Sequence, residues 1–192
     1  MDGRVASAGA SWYGTNLGSR VGGNPSLLNS HQPKHIQYVR CTIVLLFKAT
    51  NTVNPKYTPE SFNEFGKPYL PGHLGIVITE VAEGRVCAEL PVQPHLLAPN
   101  GYLHAGSVVT LADTAAGYAC IAHLPEGAHS FTTIELKSNH LGTARQGTIA
   151  VVATAAHLGR TTHVWDATVT DKDSGKTIAL FRCTQMILYP KA

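Results

Sequence analysis

Three features of the sequence predict an α+β fold in which an antiparallel β-sheet curls closely around one long α-helix. Residues 105–122 contain no proline and carry apolar or small side chains on nearly every face, so they read as a helix buried on nearly every side. The segments after it, up to residue 188, are rich in β-branched residues and alternate in character. Short turns join those segments, and consecutive strands joined by short turns pair antiparallel.

The elements follow in chain order. Thr58-Pro59-Glu60-Ser61 opens a first helix, with Thr58 as a good N-cap and Pro59 suited to the first turn. Phe62, Phe65 and Tyr69 are expected to pack inward, and Gly66, Pro68, Pro71 and Gly72 to end the helix. Gly75 to Val81 and Arg85 to Leu90 form a hairpin about Glu83-Gly84. Pro91 to Gly101, with three prolines, is a loop before the long helix, which closes ahead of Pro125-Glu126-Gly127. Strands are expected over 130–139, 147–156, 161–171 and 176–188, with a turn at residues 171–175. Residues 36–48 hold a further short element, strand or helix. Residues 1–35, rich in Gly, Ser and Asn, read as a flexible tail. The division expected is an N-terminal extension over 1–58 and one domain over 59–192.

Composition narrows the function. The chain has 192 residues, 44% hydrophobic and 14% charged, enough for one domain with a sizeable core. The net charge of +3 belongs to the leader: residues 1–58 hold six basic residues against one acid, whereas 59–192 hold nine against eleven. Nothing in the body therefore argues for nucleic-acid binding. Cys41, Cys87, Cys120 and Cys183 show no CxxC and have mostly apolar neighbours, which reads as buried free thiols in a reducing, cytoplasmic compartment. The leader has no apolar core near Met1, so it does not read as a secretory signal. No stretch is read as an apolar membrane span, Ile43 to Phe47 being only five residues long, and no membrane partner is expected. The histidines show no metal-ligand spacing, so neither a metal nor another cofactor is expected.

The chemistry is read from residues 99–113, PNGYLHAGSVVTLAD. Asp113 is a lone carboxylate on a mostly buried helix, where it either accepts local hydrogen bonds or has its pKa pushed up. Asn100-Gly101 is turn chemistry, and His104-Ala105-Gly106 stands where the helix begins. The first N–H groups of a helix have no intrahelical partner and favour negative charge, so small residues there suit a developing oxyanion. His104 and Asp113 are nine residues apart. On one helix that is about 900° of rotation and roughly 13 Å of rise, so they do not meet within one chain. They are unrelated, or they meet across a symmetric dimer.

Residues from about 60 to 190 resemble the hotdog-fold thioesterases, most closely the PaaI-like branch related to the 4-hydroxybenzoyl-CoA thioesterases with an acidic residue on the central helix. The resemblance rests on Asn100-Gly101-Tyr102-Leu103-His104-Ala105-Gly106, Leu111-Ala112-Asp113-Thr114-Ala115-Ala116-Gly117, Thr132-Thr133-Ile134-Glu135-Leu136-Lys137-Ser138-Asn139 and His157-Leu158-Gly159-Arg160. It implies hydrolysis of an acyl- or aryl-CoA at sites shared in a homodimer or a dimer-of-dimers tetramer. In that reading Asp113 is nucleophile or general base, the Ala105 N–H stabilises the oxyanion, and His104 orients the substrate carbonyl. Gly106, Thr132 and Thr133 line the substrate, and Arg160 approaches the nucleotide phosphates of coenzyme A. Two positions depart from the pattern: Ala105 replaces the first glycine of His-Gly-Gly, and Ala98 stands where relatives carry Asn or Gln, with Asn100 as the nearby substitute. A non-catalytic acyl-CoA sensor on the same fold is the competing class; the expected signal-transmitting second domain has no convincing counterpart in residues 1–58. A hotdog dehydratase ranks lower, since its motifs are missing.

Overall fold

The computed structural model describes residues 52–191. Helices α1 (Pro59–Gly66) and α2 (Leu70–Leu74) precede the hairpin β1 (Val77–Ala82) and β2 (Arg85–Pro91). The long helix α3 (Ala105–Ala122) follows, then β3 (Ser130–His140), β4 (Thr148–Leu158), β5 (Thr162–Asp171) and β6 (Thr177–Leu188). All six strands form one antiparallel sheet in the order β1-β2-β4-β5-β6-β3. This is the hotdog arrangement expected from the sequence, with α3 held against one face of the sheet. Residues 36–48 and Cys41 lie outside the described residues.

The core is the helix–sheet interface. Leu111, Ala115 and Ala119 of α3 meet a sheet face that includes Val86, Leu90, Ile149, Val151, Trp165 and Val169, all buried. Alanines on α3 let the strands approach closely, so burial is nearly complete without large side chains on the helix. By length and composition α3 is apolar enough to cross a membrane, against the expectation that no stretch is. Its apolarity serves the sheet, which buries most of the helix.

The first helix forms as expected, and its cap is reciprocal. The Thr58 hydroxyl accepts from the Ser61 N–H (3.2 Å) while the Ser61 hydroxyl accepts from the Thr58 N–H (2.8 Å). Phe62 packs inward, stacked between Tyr57 (5.1 Å) and Tyr118 (4.5 Å). Phe65 and Tyr69 do not: they are 57% and 62% exposed, Phe65 near the end of α1 and Tyr69 at the cap of α2. The stretch read as a simple terminator folds into α2. The folded unit also reaches back before Pro59: Val53 packs on the core, and the Asn54 N–H donates to the Ala122 carbonyl at 2.8 Å, closing the C-terminal end of α3.

That end of α3 is also fixed by histidine. His123 is fully buried; its Nδ1 donates to the Ala119 carbonyl (2.7 Å) and its Nε2 accepts from the Gly84 N–H in the β1–β2 turn (2.8 Å). The Trp165 ring lies between His123 and the buried His163, at 5.4 and 6.4 Å. Cys87, Cys120 and Cys183 are free thiols.

Candidate active site

The loop before α3 fixes where that helix starts. The Leu96 carbonyl accepts from the His104 N–H (3.0 Å) and from the buried Ser107 hydroxyl (3.0 Å). Leu97 bridges Leu103, and Gly101, at φ 78°, turns the chain between them. Asn100 belongs to this turn: its carboxamide oxygen accepts from the Tyr102 N–H at 3.2 Å. Arg145, from the β3–β4 loop, stacks its guanidinium over the Tyr102 ring at 4.1 Å.

His104 is the N-cap of α3, with its Nδ1 accepting from the Gly106 N–H at 2.9 Å. An accepting Nδ1 leaves the proton of the neutral imidazole on Nε2, so the ring presents a donor outward. A Cβ on Gly106 would sit 2.9 Å from that Nδ1, so glycine is needed for the ring to fold back over the helix start. His104 takes the Gly106 N–H, and the Ala105 N–H, the first of the helix, has no partner among the described residues.

Asp113 lies on α3, half-buried. Its Oδ1 is shut off from solvent and, among the described residues, has no hydrogen-bond partner. Of the two readings the sequence left open, local hydrogen bonding is therefore the wrong one. Burial pushes the carboxyl above the usual carboxylate range. Beneath it, Cys183 on β6 is pushed up to about 12, by burial first and by the Asp113 charge second.

The strand below α3 carries a phase shift that alternation alone does not reveal. Thr133 pairs with Gln185 and Glu135 with Thr184, so Ile134 is bulged out. Before the bulge Phe131 and Thr133 share the core face with Ile187 and Gln185; Thr132 stands opposite the exposed Met186 on the outer face. Of the two threonines proposed for the substrate, only Thr133 faces α3. Gln185 was missed by the sequence reading: it is fully buried, and neither atom of its carboxamide finds a partner among the described residues. The signal was present, since Gln185 is a polar residue in phase with Phe181, Cys183 and Ile187.

Arg160 is exposed in the β4–β5 turn. Its carbonyl accepts from the Tyr189 hydroxyl (2.6 Å) and its guanidinium lies over the same ring (5.6 Å). His104 and Asp113 stand on one helix as the spacing required, so a single chain holds them apart.

The sequence profile of the thioesterase superfamily matches residues 100–178, the stretch from the turn before α3 into β6. The chain shares 32% identity over 136 residues with the 1,4-dihydroxy-2-naphthoyl-CoA hydrolase of Escherichia coli, covering 69% of this chain and 96% of that relative. This chain belongs to the thioesterase superfamily. The corresponding hydrolase of Listeria monocytogenes is 33% identical over 111 residues, covering 58% of this chain and 89% of the relative. A crystal structure of a mutant thioesterase from Pseudomonas aeruginosa superposes with a TM-score of 0.67 at 31% identity, over 71% of this chain and 98% of that one. The thioesterase is thus a hotdog enzyme of thioester hydrolysis.

Proposed function

We propose that the enzyme hydrolyses an acyl- or aryl-CoA to the free acid and coenzyme A, with Asp113 as the reacting carboxylate. The observation that carries this is the state of Asp113: a half-buried carboxylate, desolvated and unpaired, on the helix whose own start presents an unpaired N–H and a histidine donor. Either the carboxylate attacks the thioester carbonyl, releasing the thiolate and leaving an anhydride that water opens, or it takes a proton from the water that attacks. In both routes the Ala105 N–H holds the oxyanion and His104 Nε2–H orients the carbonyl. Arg160, exposed at its turn, contacts the nucleotide phosphates.

One chain cannot bring these groups together, so the active unit is a dimer in which Asp113 of one protomer faces the helix start of its partner. The edge strand β3 supports this reading. Among the described residues it pairs only with β6, and Ile134 and Leu136 are exposed along it, an arrangement that suits pairing with a second copy. The test is subunit mixing. Asp113→Asn and His104→Ala chains, each inactive on an acyl-CoA panel read with a thiol reagent, should regain up to about a quarter of the sites when exchanged, from random pairing. Full activity from a verified wild-type monomer would rule the shared site out.

A further inference from the structure

A cavity of about 470 Å³ lies between α1 and the C-terminal half of α3. That is the size of a small-molecule site. Phe62, Ile121 and Leu124 give it apolar walls, and Ser130 closes it at the start of β3. Lys56, Phe65 and His129, all exposed, form its open rim. None of these residues belongs to the reacting groups described above.

Its position links it to Asp113. Asp113, Gly117 and Ile121 are spaced four residues apart and so form one stripe along α3. From Asp113 to Ile121 the stripe runs ~12 Å. Gly117, in the middle, has no side chain, and the space that one would take is occupied by the Phe131 ring: a Cβ there would lie 3.2 Å from Phe131 Cζ. Phe131 follows Ser130 of the cavity wall directly. The Phe131 ring thus lies against the helix midway along the stripe that joins Asp113 to the cavity wall at Ile121.

We propose that this cavity is the far end of the acyl site, reached when the Phe131 ring swings off Gly117, and that it takes an unbranched apolar acyl chain. Spanning ~12 Å with carbon–carbon bonds of about 1.5 Å calls for roughly eight to ten carbons. With the ring in the observed position the site ends at Gly117 and fits short acyl groups only. The open rim lets longer chains emerge into solvent. The inference rests on Asp113 being the reacting residue.

The test compares butyryl-CoA and decanoyl-CoA on the full-length enzyme. Ile121→Trp fills the cavity without touching the reacting groups. Each methylene taken out of water is worth roughly fourfold, so excluding three lowers kcat/KM on decanoyl-CoA by roughly sixtyfold. The same variant should hydrolyse butyryl-CoA within about twofold of wild type, which also shows that it folds. Phe131→Ala, which opens the passage, should raise the decanoyl-to-butyryl ratio. Leu124→Trp plugs the cavity from the loop after α3 and replaces Ile121→Trp if that variant does not fold. Equal losses on both substrates in a folded variant, no loss on either, or a wild type that takes butyryl-CoA but not decanoyl-CoA would overturn the assignment while leaving the thioesterase reading intact. A wild type inactive on every acyl-CoA would instead remove the reading on which it rests.

Discussion

The C-terminal end of α3 and its middle treat buried polar groups in opposite ways. At the C-terminal end His123 is fully buried, and both ring nitrogens are engaged, one within the helix and one with the Gly84 N–H. At the middle of the helix Asp113 is only half-buried, yet its Oδ1 has no partner among the described residues. A buried polar group left unpaired costs about 1–3 kcal/mol, so its persistence needs a compensating use. The satisfied group is a fastener between helix and hairpin; the unsatisfied one, in the proposed reading, is where a substrate completes the structure. On that reading the same helix carries stability at its C-terminal end and chemistry at its middle.

The largest expected effect breaks the comparison at Asp113. Asp113→Asn keeps the shape and removes both nucleophile and base, so turnover should drop by about 10²–10⁴-fold. Stability should move the other way. The raised pKa means that the folded state holds its proton more tightly than the unfolded chain, so stability is lost as pH rises from the ordinary aspartate range to the raised pKa and stays lost above it. Asn has no such loss, and the variant should melt higher at neutral pH. In the wild type the acid limb of kcat/KM should lie above the pH of an ordinary aspartate. Near wild-type turnover in Asp113→Asn would cancel the distinction between the two regions.

The fastened end is tested by acid. Burial lowers His163 to about 4 from 6.5, and His123 shifts in the same direction. Above pH 6.5 neither folded nor unfolded chain binds the His163 proton. Between 6.5 and about 4 the unfolded chain takes up a proton that the folded one refuses, so stability falls as pH falls, by about 3 kcal/mol in all. Urea denaturation at pH 7, 5 and 4 should show this slope, and His163→Gln should flatten it. An unchanged slope in that variant would mean that other groups govern acid lability.

The smallest effect asks whether chemistry is confined to α3. Arg160 is anchored through its carbonyl to Tyr189, whereas its guanidinium is exposed. Arg160→Ala should raise KM for an acyl-CoA by about tenfold to a hundredfold, the worth of a charge-assisted hydrogen bond, with little change in kcat. A thioester lacking the nucleotide should be indifferent. Equal losses on both substrates would make Arg160 part of the fastening instead.

Much of this was legible in the sequence. The limits of α3, the hairpin about Glu83-Gly84 and the four late strands follow from periodicity and turn residues, which are local signals. Where the reading failed, non-local contacts decided. Helix α2 forms in a stretch of prolines and glycines that propensity reads as a terminator. Phe65 and Tyr69 were assigned inward by type, but whether an aromatic residue is covered depends on what lies beside its helix. The bulge at Ile134 shifts the phase of β3 midway along the strand, which alternation within one strand does not show, since register belongs to the pair of strands and not to either one.

By itself the sequence determined that a histidine and a carboxylate stand nine residues apart on one buried helix, and therefore on opposite faces of it, because the helical repeat fixes that angle whatever surrounds the chain. Only the tertiary structure decided that Asp113 Oδ1 is shut off from water without a partner among the described residues, that His104 turns Nδ1 onto Gly106, and that the Phe131 ring lies against Gly117. Desolvation and side-chain packing are set by whichever atoms of distant sequence arrive alongside, and the sheet brings them there.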